Sequence, residues 1–117
     1  MRSRPSVGIA ALALCGCSPP AHIVTTVRSP SDVLFEVTTD KDDPGCIDHL
    51  AVWDAGGIMR WDISRKADAK TCVRELTFPQ VPPGFIVRQG ATVLAKGDYH
   101  VEAASGIYRG VDWFTIN

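Results

Sequence analysis

Turn-forming residues divide the chain from Ser31 onward into short segments, and this spacing constrains the fold more than any other feature. The segment 32–39 alternates apolar and polar side chains, as a strand with one buried face does. The segments 46–54 and 58–63 flank Ala55-Gly56-Gly57 and predict a β-hairpin. No segment has the apolar spacing of a long amphipathic helix. The sequence therefore predicts an all-β fold, an antiparallel β-sandwich of about seven or eight short strands.

The later strands are predicted from the same pattern. They cover 71–78, 85–87, 97–104 and 108–116, and 91–94 is a further short apolar stretch. The polar segment 64–70 is predicted as a loop, because without an apolar face it supports at most one helical turn. Gly110 lies inside the last predicted strand and is a candidate for a β-bulge.

The region before Ser31 has a different composition. Pro19, Pro20 and Pro30 predict an extended tether over 17–30, and the β-branched residues 23–27 are able to add an edge strand to the domain. The predicted organisation is a leader over 1–16, the tether over 17–30 and the sandwich over 31–117.

The first sixteen residues have the three parts of a secretory signal. Arg2 and Arg4 are basic, and 7–14 is an apolar run too short for a bilayer core, which needs about 20 residues. The segment Leu14-Cys15-Gly16-Cys17 resembles the lipobox of bacterial lipoproteins, with Cys15 at a position where Ala, Ser, Thr or Val is usual. The resemblance implies cleavage before Cys17, diacylglyceryl on its sulfur and a further acyl chain on its amine.

Acylation at Cys17 implies that the membrane is a partner of the chain, because two or more acyl chains anchor a protein stably. The resemblance places the protein in the bacterial cell envelope, and Ser18 after the cysteine favours the outer membrane, with the domain facing the periplasm or the surface. Two alternatives stay open. Ala11-Leu12-Ala13 would serve an ordinary signal peptidase, and the segment would otherwise be a packed helix, which Pro5 fits badly.

The lipobox resemblance leaves two of the four cysteines in the mature domain. Cys15 would leave with the signal and Cys17 would be acylated, so Cys46 and Cys72 remain. A lone pair in an oxidising compartment predicts a disulfide. Free or metal-binding thiols are the alternative, and no CxxC spacing or histidine pair supports a zinc site.

Charge argues against one class of partner. Without Arg2 and Arg4 the chain keeps ten basic and thirteen acidic residues, a formal charge of −3. Nucleic-acid binding needs a basic surface, so no nucleic-acid partner is expected.

Aromatic side chains are the candidate binding residues. Trp61 shares an apolar face with Met59 and Ile63 and is predicted to lie in the core. Trp53, Trp113 and Tyr108 are candidates for a surface that binds a glycan or an envelope protein, with core packing as the alternative.

No catalytic, metal or cofactor site is predicted. His22, His49 and His100 are scattered, and no nucleophile motif accompanies them. The acidic segment 40–45 is predicted to be a solvated turn, with a Ca²⁺ loop as the less favoured interpretation.

Two short resemblances complete the sequence evidence. The segment 94–101 resembles the entry to the penultimate strand of immunoglobulin-like sandwiches, which implies that the Tyr99 hydroxyl bonds back to the backbone. The segment 105–108 resembles the serine-glycine…tyrosine loop of lipoprotein lysozyme inhibitors. The leading hypothesis is a lipid-anchored, non-catalytic structural or binding module. The alternatives are a ligand-binding or hydrolase-inhibitor lipoprotein and, more weakly, an enzyme.

Overall fold

A computed structural model describes residues 18–40 and 45–117, so Cys17 and most of the acidic turn lie outside the described residues. The described residues form eight strands and no helix. The strands are β1 (His22–Ser29), β2 (Asp32–Thr38), β3 (His49–Asp54), β4 (Met59–Arg65), β5 (Glu75–Phe78), β6 (Phe85–Gln89), β7 (Gly97–Ser105) and β8 (Tyr108–Ile116). In this part of the chain, no helix long and apolar enough to cross a membrane is found.

The strands form two antiparallel sheets, which confirms the predicted β-sandwich. One sheet has the order β1-β2-β5, and the other has the order β6-β4-β3-β7-β8. The predicted hairpin is formed by β3 and β4, with Val52 opposite Trp61. The strands β2 and β3 belong to different sheets, because β2 pairs with β1 and β5 and β3 pairs with β4 and β7.

The core lies between the sheets and follows the predicted alternation. Val33, Phe35 and Val37 all face inward from β2 and are fully buried. Trp61 is also fully buried, and its ring lies edge-on to Phe78 with centroids 5.1 Å apart. The prediction that Trp61 lies in the core is therefore confirmed.

The Tyr99 hydroxyl bonds back to the backbone, an arrangement known as a tyrosine corner. The Tyr99 hydroxyl donates a hydrogen bond to the Ala95 carbonyl oxygen over 2.7 Å, and the Tyr99 ring stacks on Phe114 at 5.5 Å. The apolar stretch 91–94 does not form a strand. Leu94, which directly precedes Ala95, is nevertheless buried and belongs to the hydrophobic core. This hydrogen bond is the one that the resemblance of 94–101 to immunoglobulin-like sandwiches implies.

A disulfide joins Cys46 to Cys72, as predicted, with Cα atoms 4.9 Å apart. The Ile47 N–H donates to the Val73 carbonyl oxygen over 2.8 Å beside this bridge. Residues 71–74 are held in this way next to the start of β3, and only Glu75–Phe78 joins the ladder with β2. The strand predicted over 71–78 is therefore shorter than the alternation indicates.

The sandwich begins earlier than the predicted boundary at Ser31. The strand β1 lies inside the segment predicted as a tether, and Ala21 and Ile23 are buried in the core. The Ala21 N–H donates to the Arg109 carbonyl oxygen, and the Arg109 N–H donates to the Pro19 carbonyl oxygen, over 2.8 Å and 3.1 Å. The chain thus attaches to β8 before it enters β1.

Gly110 is not at a β-bulge, because the pairing of β7 with β8 runs without a register shift from Gly97 to Tyr108. Its role is to admit the backbone of residue 21. A Cβ at Gly110 would overlap the Ala21 carbonyl oxygen, so only glycine fits at this crossing.

Candidate functional site

Three aromatic side chains form a row across the outer face of the five-stranded sheet. Trp53 on β3 lies opposite His100 on β7, and His100 lies opposite Trp113 on β8. The Trp53 and His100 rings are nearly parallel, with centroids 6.2 Å apart, and the His100 and Trp113 centroids are 6.4 Å apart. We call Trp53, His100 and Trp113 the aromatic row.

The tryptophans differ sharply in burial. Trp113 is 69% exposed and Trp53 is half-buried, whereas Trp61 on the other face of the sheet is fully buried. Trp113 therefore lies on the surface and is not packed in the core. The structure brings Trp53 and Trp113 onto one surface, as a shared binding surface requires.

Tyr108 does not join this surface. It lies on β8 with the parity of the inward residues Phe114 and Ile116, and it packs against the core. Ser105, which pairs with it across the hairpin, is 1% exposed. Tyr108 therefore contributes to packing, at the opposite face of the strand from Trp113.

Carboxylates accompany both imidazoles of this face. The Nε2 atom of His49 lies 2.5 Å from Oδ1 of Asp62, and Nε2 of His100 lies 3.2 Å from Oε2 of Glu102. The histidines are scattered in the sequence, but register across the sheet places His49 and His100 on the same face. The spacing of His100 and Glu102, two residues apart on one strand, is the signal for the second pair.

The aromatic row borders a concave region beside the turn between β3 and β4. A cavity of about 250 Å³ is lined by Trp113, His100, Asp98 and Asp54, with the turn backbone as one wall. A second cavity of about 290 Å³ shares Asp54 and Asp98 and extends past Lys96. We call these two adjoining cavities the distal groove.

Asp54 organises one wall of the distal groove. Its carboxylate accepts from the Ile58 N–H over 2.9 Å and from Arg60 Nε over 2.9 Å. The Ile58 hydrogen bond, more than the charge of Arg60, holds the pKa of the Asp54 carboxyl below its usual value. Asp98, on the opposite wall, accepts from the Thr115 hydroxyl over 2.7 Å.

Replacing Asp54 with asparagine is expected to reduce the acid sensitivity of the fold. A carboxyl with a lowered pKa stabilises the folded state above its unfolded pKa, and that contribution is lost as the pH falls through the folded pKa. For aspartate this window lies below about pH 4. We expect the free energy of unfolding in urea to fall less in Asp54→Asn than in the wild type between about pH 6 and about pH 3. Asp68→Asn in the exposed loop is the control, and equal falls in all three proteins would contradict the expectation.

A third cavity of about 360 Å³ lies at the other end of the same face. His49, Glu102, Arg109 and Val111 line it. This end carries the attachment of Pro19 and Ala21 to β8 and the turn between β7 and β8. We call it the β7–β8 turn end.

Within residues 18–40 and 45–117, no group of three or more His, Cys, Asp or Glu side chains is placed to hold a metal ion. The acidic segment 40–45 lies mostly outside the described residues, so its interpretation stays a prediction. Comparisons with protein-family models, with curated proteins and with solved structures find no match to this chain. The geometry of the outer face is therefore the basis for a functional proposal.

Proposed function

We propose that this chain is a lipid-anchored envelope protein whose β-sandwich is a non-catalytic binding module. The outer face of the five-stranded sheet is the binding surface, and the aromatic row is its centre. One observation carries the proposal: Trp113 exposes 69% of its surface in a domain that buries its other large aromatic side chains wholly or in part. Tryptophan is a common anchor of binding surfaces because it gains much contact area with few rotatable bonds.

The envelope location is supported by cysteine usage. The Cys46–Cys72 disulfide is of the kind that persists in oxidising compartments. The lipobox-like segment ending at Cys17 supports an attachment to the membrane through acyl chains.

The path of the chain supports an orientation for this module. Pro20 pairs with Arg109 in the parallel direction, so the chain before Pro20 runs toward the turn between β7 and β8. Trp113 lies four residues beyond Arg109, roughly 13 Å along the strand in the opposite direction. An anchor at Cys17 would therefore leave the distal groove on the side directed away from the membrane.

Intact mass spectrometry of the protein purified from bacterial membranes tests the anchor. We expect a chain that begins at Cys17 and carries added acyl mass, and we expect Cys17→Ala to remain unacylated and to leave the membrane fraction. Cys15→Ala is the matched control and should be acylated normally, since Leu14 fits the lipobox position and Cys15 only fills its middle. A mature chain without lipid, beginning near Leu14, would refute the anchor.

The inhibitor alternative has less support. The loop that resembles those of lysozyme inhibitors would need its serine and tyrosine side chains to reach a partner. Ser105 is 1% exposed and Tyr108 packs against the core. The exposed side chain of this turn is the aliphatic Ile107. We therefore favour the aromatic row over the turn as the binding element.

A further inference from the structure

The geometry points to a ligand class for the distal groove: we propose that it binds pyranose rings of a neutral glycan, with Trp113 as the stacking platform and Asp98 as a hydroxyl acceptor. This inference rests on the binding function proposed above and names its ligand.

The stacking platform comes from the position of Trp113. The strand β8 is at the edge of its sheet, and the Trp113 ring has an aromatic neighbour on the His100 side. Most of its surface is exposed, and it borders the 250 Å³ cavity. A flat apolar ring beside a small cavity suits the apolar C–H face of a sugar. When the sugar stacks on the ring, its carbon-bound hydrogens are buried and its hydroxyls lie at the rim of the cavity.

The rim of the cavity carries acceptors for those hydroxyls. A carboxylate has about four acceptor positions, and Thr115 uses one of those on Asp98. Asp98 is exposed, so its remaining positions face solvent. Asp54 differs, because Ile58 and Arg60 occupy both of its oxygens, and its role is to hold the wall.

Charge favours a neutral ligand. Asp54 is paired with Arg60, and Glu102 lies against His100. An anionic ligand in the first cavity would meet the carboxylate of Asp98 beside Trp113, where no arginine or lysine lines the wall. Arg60 and Lys96 line the second cavity, and Arg60 is paired there with Asp54. Hydrogen bonding to uncharged hydroxyls avoids this repulsion.

Size and position agree with a chain of sugars. The first cavity is below the range of about 300–1,000 Å³ that encloses drug-sized ligands, so it suits a single ring. The second cavity adjoins it across Asp54 and Asp98 and offers room for the next ring. The groove is open and lies at the end of the face away from the β7–β8 turn. With the proposed anchor at Cys17, a long polysaccharide of the envelope would have access to it.

The test titrates the full chain with two soluble neutral probes, the β-1,4-linked tetramers of N-acetylglucosamine and of glucose. Calorimetry gives the affinity, and iodide quenching of tryptophan fluorescence reports on Trp113 in the wild type. We expect at least one tetramer to bind and to protect the fluorescence from iodide. Sedimentation with purified peptidoglycan, with and without the bound tetramer as competitor, tests whether the cell wall is the source of the ligand.

Three variants assign the site. Trp113→Ala should weaken binding about tenfold or more, the cost expected for removing a central tryptophan, and Trp113→Phe should keep most of the affinity. Asp98→Asn should weaken binding by a smaller factor, because it removes a charged acceptor. Val24→Ala, which truncates a side chain 59% exposed on the three-stranded sheet, is the control and should bind as the wild type does.

Three results would overturn the inference. The first is that neither tetramer binds, and the second is that Trp113→Ala and the wild type bind with equal affinity. The third is that the protein binds an oligolysine peptide but not the saccharides. The wild-type quenching measurement decides the question even if a variant is poorly folded. Because none of these measurements depends on acylation, a failure here is separate from a failure of the Cys17 experiment.

Discussion

The double variant Cys46→Ala/Cys72→Ala is expected to lose about 3.5 kcal/mol of its free energy of unfolding. The bridge spans 26 residues, and a cross-link of that length removes about this much chain entropy from the unfolded state. Small domains have total stabilities of about 5–15 kcal/mol, so the loss is a large part of the total.

The structure adds a local reason for this sensitivity. The bridge holds residues 71–74 against the start of β3, and this segment lies outside the ladder of β5 with β2, to which Arg74 alone bonds through the Val37 N–H. Arg65 gives further support through hydrogen bonds to the Thr71 and Ala69 carbonyl oxygens. Without the disulfide, these hydrogen bonds are left to position the loop, together with those from the Ile47 N–H to the Val73 carbonyl oxygen and from the Val37 N–H to the Arg74 carbonyl oxygen.

Urea unfolding measures this effect. The double variant is compared with the wild type under oxidising conditions and with the wild type after reduction, which should unfold at the same urea concentration as the variant. Both proteins carry Cys15→Ala and Cys17→Ala, so that they differ only in the cysteines of the bridge. A loss below about 1 kcal/mol in the bridge variant would show that the native contacts alone fix the loop.

Gly110→Ala is expected to lose about 2 kcal/mol, from the range of about 1–3 kcal/mol for overpacking at a tight contact. A Cβ at this position would overlap the Ala21 carbonyl oxygen, so the chain must move away from β8. The hydrogen bonds between Ala21 and Arg109 and between Arg109 and Pro19 would lengthen or break. The change therefore acts on the segment that carries the proposed anchor.

Two measurements separate this local effect from general destabilisation. Urea unfolding gives the total loss of free energy of unfolding. The rate of amide hydrogen exchange should increase most at Ala21 and Arg109. Gly90→Ala is the matched control, because a Cβ there has no neighbour within 4 Å and its φ is not positive. If Gly110→Ala and Gly90→Ala are equally stable, the contact with Ala21 is not a constraint.

Prediction from sequence succeeded where the pattern is local or covalent. The alternation of Val33, Phe35 and Val37 has the period of a strand with one buried face, and the structure confirms it. The same holds for the hairpin around Gly56 and for the hydrogen bond of Tyr99 to a carbonyl four residues earlier. These features depend on neighbours in the chain, so spacing predicts the strand and the hairpin, and the local resemblance to immunoglobulin-like sandwiches implies the Tyr99 hydrogen bond.

Prediction was less complete where distant segments meet. Trp53, Trp113 and Tyr108 were all candidates for one surface, but strand parity turns Tyr108 toward the core. The sequence predicts both an extended tether and an edge strand over 23–27, and the structure has the edge strand, as β1, with the domain boundary earlier than Ser31. Gly110 fits either a bulge or a close crossing, and only the position of Ala21 decides between them.

The sequence by itself determined the strand content, the hairpin turn between β3 and β4 and the disulfide partners, whereas the membrane attachment at Cys17 stays a prediction. The tertiary structure alone decided that Trp53, His100 and Trp113 form one exposed row and that the chain before β1 crosses Gly110 at the far end of β8 from that row. The physical reason is register. Side chains on three separate strands become neighbours only when hydrogen bonding aligns those strands, and no local pattern in any one of them encodes that alignment.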